Sequence, residues 1–156
     1  MTRSFPSPVA EIACLLLPTL WFGLIIGVSF LATPAKFEAP TLTFPVALDV
    51  GRVTFAIWNN VEWFLLAIVG LTVLAGKAQI FLAAAIGVLD VLILIQSMIL
   101  LPVLNNRAAS IMAGSRPHPS SDHLFYIAID ILKLLILAAV IWKQGERMML
   151  LLQNPR

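Results

Sequence analysis

The chain has 156 residues, the length of one domain, and is 60% hydrophobic and 12% charged, against roughly 45–50% and about 25% in soluble domains. A chain this small has no interior able to hide so much apolar surface from water, so lipid is the solvent that suits it. The net charge of +2 offers no basic field for nucleic acid, and the lone Cys14 excludes an internal disulfide and every multi-cysteine metal site.

Four apolar runs follow in chain order, at about 12–31, 53–75, 80–103 and 124–142. Each is near the roughly 20 residues that a helix needs to cross about 30 Å of hydrocarbon. Backbone groups left unsatisfied in lipid are too costly for isolated strands, so the runs read as helices. The expected fold is all-α, a single multi-pass membrane domain built as a bundle of about four transmembrane helices.

The first run carries Gly23 and Gly27, four residues apart, a spacing that lets another backbone approach closely. Arg3 before it and Ala32 and Ala35 after it are features of a cleaved leader. The apolar stretch, however, exceeds the 7–15 residues of a leader core and is read as a retained helix. Pro34, Pro40 and Pro45 break up the first connection. Pro45, following Thr43, suits a first-turn position and starts the second helix well before Val53. Gly76-Lys77 makes a tight turn into the third run, and Pro102 marks its end. Residues 105–122 form a polar loop rich in serine, glycine and proline. Beyond the fourth run, Gln144 to Arg156 suits an interfacial segment or a frayed end.

With four spans, Arg3, Lys77, Lys143, Arg147 and Arg156 share one side, and Lys36, Arg52, Arg107 and Arg116 the other. Five against four places both termini in the cytoplasm, a weak excess.

The informative residues are those that cost most in lipid. A charged side chain at the bilayer centre costs about 2.5–3.5 kcal/mol on insertion scales, yet Glu62, Asp90, Asp130 and Lys133 all lie inside the apolar runs. Counted at 1.5 Å per residue, Glu62, Asp90 and Lys133 each fall near mid-membrane depth, whichever side their helix starts from. In the fourth run His123, Tyr126, Asp130 and Lys133 are spaced i, i+3, i+7, i+10 and share one face, descending from a histidine at the interface to an ammonium in the middle. Arg52, Asn59 and Glu62 descend similarly on the second helix, with Asn60 to one side. Asp90 and Ser97 share a face of the third, with Gln96 pointing elsewhere.

Three carboxylates and one ammonium carry a net charge of −2, which a low-dielectric interior does not sustain. Either protons stay on one or two carboxyls or a cation joins them. Asp130 and Lys133, one turn apart, form the natural pair, leaving Glu62 and Asp90 as proton carriers. The expected pathway residues are therefore Glu62, Asp90, Asp130, Lys133, Asn59, Tyr126 and His123. Asn59, Asn60, Gln96 and Ser97 also suit a structural role, as interhelical hydrogen bonds.

No histidine lies within an apolar run to hold a haem, and His118 and His123 lack an established metal spacing. No phosphate loop, nucleophile elbow or dinucleotide fingerprint is present. No cofactor or metal is expected. The readings are a proton- or cation-coupled carrier or proton path, or an accessory or assembly subunit of a larger membrane complex. An enzyme acting on a lipid or quinone has no substrate motif behind it. As partners this leaves the bilayer itself, other membrane subunits or further copies of the chain.

The stretch Gly27-Val-Ser-Phe30, then Ala32-Thr-Pro34-Ala-Lys-Phe37, then Val50-Gly51-Arg52 with Phe55, resembles the bacterial four-helix membrane family of unknown function DUF4149, related to human transmembrane protein 205. His123 falls where that family places a histidine before its last helix. Thr33 is an insertion relative to the family pattern, and the mid-membrane charges have no counterpart in it. The resemblance implies a multi-pass fold in a bacterial plasma membrane and no settled activity.

Overall fold

The structure is a computed structural model that describes residues 8–75, 80–115, 118 and 120–153. Four helical rods of 30 to 33 residues each are long and apolar enough to cross a membrane. The first joins α1 (Pro8–Ile25) to α2 (Thr33–Glu38) through a π-helical segment, Ile26–Ala32. The second is α3 (Phe44–Ala75). The third joins α4 (Ile80–Ile95) to α5 (Leu101–Met112) through a second π segment, Gln96–Leu100. The fourth is α6 (Asp122–Gln153). No strand occurs among the described residues.

The rods pack in a closed ring. The second lies against the first and third, the fourth against the third, and the fourth closes on the first through the α1–α6 contact. The start of the first rod and the end of the fourth therefore lie at one end of the bundle, where Arg147 donates to Glu11 Oε1 at 2.5 Å. The connections after Glu38 and Met112 lie at the other end.

The core is a layer of Trp21, Ile25, Trp58, Leu65, Val69, Leu89, Ile93 and Leu137, drawn from all four rods. Large apolar side chains also cover the outside, including Val9, Ile57, Phe64, Val91 and Leu135. A surface of that kind is tolerated only where lipid replaces water. With the four spans, it makes this an integral membrane protein.

The rods differ from the sequence expectation mainly at their ends. Residues 105–122 do not form one polar loop: α5 continues to Met112, leaving the connection to begin at Ala113. α5 presents Asn105, Asn106 and Arg107 where the helix extends past the apolar run, and polar side chains there need no lipid. The second helix starts at Phe44, well before Val53 as Pro45 implies, and α6 runs to Gln153 as continuous helix. The Gly76-Lys77 turn lies outside the described residues.

Pro34 and Pro102 do not end their helices. Each follows a π segment and occupies the first or second position of the next α segment. Proline lacks an N–H and its ring collides with the carbonyl four residues back, so the preceding turn widens to make room. The Thr33 and Leu101 amides bond five residues back, to the Val28 and Gln96 carbonyls. Thr33 Oγ1 donates to the same Val28 carbonyl at 2.8 Å, reinforcing the wide turn.

Candidate functional site

The ring of rods turns three ionisable side chains inward at one level. Glu62, Asp130 and Lys133 are each at most 1% exposed. The Lys133 ammonium donates to Glu62 Oε1 at 2.5 Å and to Gln96 Oε1 at 2.7 Å, and lies 2.8 Å from Asp130 Oδ1. Of the three ammonium protons, two go to Glu62 and Gln96, and the charge is further compensated by the ion pair to Asp130. Gln96 Nε2 donates to Asp130 Oδ1 at 2.8 Å and to the Tyr126 carbonyl at 3.3 Å. Trp21 Nε1 donates to Glu62 Oε1 at 3.3 Å. Every rod contributes: Trp21 from the first, Glu62 from the second, Gln96 from the third, Asp130 and Lys133 from the fourth.

Among the described residues, one fully buried atom of this network has no hydrogen-bond partner. Asp130 Oδ2 is buried and accepts no hydrogen bond from the protein. Two carboxylates against one ammonium leave an excess charge of −1 when all are ionised. A buried excess charge needs a proton or a cation, and the unmatched oxygen is where it has room to sit.

Asp130 also lines a cavity of about 330 Å³, walled by Ser29, Thr33, Phe55, His123 and Tyr126 among others. Ser29 Oγ is a second buried polar atom without a protein partner, so two orphaned groups line one space. The π turn supplies part of the wall, because Ser29 and Phe30 sit on it and Thr33 and Pro34 follow it. Tyr126 packs edge-on against Phe55, with ring centroids 5.0 Å apart. The cavity spans from Asp130 to His123, the second residue of α6, at the end of the bundle away from the chain termini.

Of the residues expected from sequence, Glu62, Asp130 and Lys133 meet, and Tyr126 and His123 join them along the cavity. Asp90 does not. It is half-buried, and no hydrogen bond or ion pair reaches it among the described residues. The inward face of α4 is set by Leu82, Ala85, Leu89 and Ile93, which points Gln96 at the centre and turns Asp90 to the side. The expectation that Gln96 points away from the site is therefore reversed. Asn59 also stands outside the ionic group. It accepts from Ser97 Oγ at 2.5 Å, and Ser97 Oγ accepts from Trp63 Nε1 at 3.1 Å, a network that ties α3 to the second π segment.

Sequence reasoning missed Gln96 and Trp21 as members of the site. Both are uncharged and their runs are apolar on every side, so neither declared its direction. No group of three or more His, Cys, Asp or Glu side chains able to hold a metal occurs among the described residues. No family model, curated protein or solved structure matches this chain.

Proposed function

We infer that the protein is a small proton- or cation-coupled carrier, or a proton path, working through the Glu62–Lys133–Asp130 group. The observation that carries this reading is Asp130 Oδ2: a buried, unmatched oxygen of a negatively unbalanced cluster, on a cavity that reaches His123. In this reading Asp130 takes up the proton, in place of the Glu62 and Asp90 assignment expected from sequence. Tyr126 and His123 lie along the route from the bundle end. Lys133, bonded to both carboxylates, couples their charges, so protonation of Asp130 frees the ammonium to favour Glu62.

The test is proton flux into liposomes holding the purified chain, read with an internal pH dye, for the parent and for Asp130→Asn. Flux above protein-free liposomes in the parent, reduced at least tenfold in a folded Asp130→Asn variant, is expected. A parent without flux, or an Asp130→Asn variant that keeps it, overturns the reading.

A second reading, an accessory or assembly subunit of a larger membrane complex, is favoured by Asp90 and Asn60. Asp90 is half-buried and Asn60 exposed, and neither polar side chain has a partner among the described residues. Polar groups left at depth in lipid are satisfied when another helix covers them. Purification in a mild detergent separates the two: stable association with larger subunits supports this reading, and an isolated chain or homo-oligomer counts against it.

A further inference from the structure

Above the Asp130 cavity, at the connection end of the bundle, lies a larger pocket of about 530 Å³. Four of its lining residues are Lys36, Arg52, Arg107 and His123, and no Asp or Glu is among them. The remaining wall is mostly apolar, with Phe37, Phe44 and Leu48 prominent.

The cations are not equivalent. Arg52 is already matched, its guanidinium donating twice to Asp49 Oδ1, at 2.7 and 3.1 Å. Arg107 donates one N–H to the His118 carbonyl at 2.6 Å, a neutral acceptor that leaves its charge uncompensated. Lys36 has no anionic partner and no hydrogen bond among the described residues. Its ammonium sits 5.1 Å from the centre of the Phe37 ring and 5.6 Å from that of Phe55, an arrangement in which ring faces attract a cation. Its Nζ packs directly over Gly51, where a Cβ would displace this flexible end of the side chain. An ammonium without an anionic partner among the described residues thus lies between two aromatic rings beside an apolar pocket.

Two uncompensated cations next to an apolar cavity complement a ligand with an anionic head and a hydrocarbon body. The ends of the membrane rods are also where such a head resides in a bilayer. We propose that this pocket binds an anionic phospholipid from the surrounding leaflet, with its phosphate between Lys36 and Arg107 and the start of a chain along Phe37, Phe44 and Leu48. The pocket shares Thr33, Phe37, Phe55 and His123 with the Asp130 cavity, so a bound lipid lies over the mouth of that cavity. The site itself does not depend on whether the buried cluster conducts.

The experiment reads binding, not flux. The purified full chain in a maltoside detergent is titrated with phosphatidylglycerol, with phosphatidylcholine of the same chains, and with inorganic phosphate. Native mass spectrometry counts bound lipid, and thermal unfolding gives the shift. Phosphatidylglycerol is expected to bind at one saturable site, at least tenfold tighter than phosphatidylcholine, and to raise the unfolding temperature. Lys36→Gln and Arg107→Gln should each weaken it about tenfold, and Lys143→Gln, a basic residue at the opposite end of the bundle, should leave it unchanged. Equal binding of the two lipids, or equal loss in Lys143→Gln, reduces the effect to general charge attraction and overturns the site. Full displacement of the lipid by inorganic phosphate overturns the lipid assignment in favour of a free anion.

Discussion

Lys133 is the residue on which the buried group balances, and it makes the sharpest test of what that group costs. Truncating one member of a buried ionic set leaves the others uncompensated, at about 3–5 kcal/mol, whereas replacing the whole set with apolar groups is often neutral or stabilising. Lys133→Met is therefore expected to destabilise the protein by about that amount in detergent, because Glu62 and Asp130 then face each other and must both take up protons. The triple variant Glu62→Leu, Asp130→Leu, Lys133→Met should recover the parent's stability or exceed it. Thermal unfolding of the parent and both variants checks this. A triple variant less stable than the single one would mean that the polar group holds the bundle together. The three charges were legible in the sequence because each violates the apolar rule for its run. Gln96 and Trp21 violate nothing, so their part in the group became visible only once the rods were in register.

At the scale of elements, orientation was the weak point, and the reason is physical. In a soluble helix the polar face identifies the inside by contrast. In α4 both the core-facing Leu89 and Ile93 and the lipid-facing Val88 and Val91 are apolar, so no face announces itself. The sequence therefore points Asp90 into the bundle and Gln96 elsewhere, whereas Asp90 is half-buried to one side and Gln96 is buried at the centre. The π segments add a second difficulty, because a widened turn changes the rotation of everything beyond it. Pro102 makes this testable. Pro102→Ala restores an N–H and allows 96–101 to rewind as ordinary α-helix, which turns α5 relative to α4 and shifts Gln96, at their junction, against Lys133 and Asp130. Gln96→Leu alone should cost about 2 kcal/mol through its lost bonds to charged groups. Pro102→Ala should cost a similar amount in the parent but less than about 0.5 kcal/mol in the Gln96→Leu background. Additive losses, measured by thermal unfolding of the double-variant cycle, would mean that the proline acts independently of Gln96.

For the whole molecule, the number of spans was legible because the hydrocarbon thickness sets a length that soluble cores rarely meet. The extent of the rods was not. At 1.5 Å per residue, rods of 30 to 33 residues measure roughly 45–50 Å, against about 30 Å of hydrocarbon, so their ends stand in the headgroup region or in water. There the apolar criterion no longer applies: Asn105, Asn106 and Arg107 continue a helix while reading as loop. Four antiparallel rods in a ring, with the fourth closed on the first, fix a topology that can be checked without knowing the activity. In a Cys14→Ala background, single cysteines at Leu150 and Gly114 should be labelled by a membrane-impermeant thiol reagent from opposite faces of sealed vesicles. Adding a cysteine at Val9 should reproduce the Leu150 pattern, since the Glu11–Arg147 contact holds those two ends together. Labelling of Leu150 and Gly114 from the same face would require an even number of crossings between them. Because α6 is the one described rod that joins those positions, that result would remove it from the membrane and with it the buried setting of Lys133.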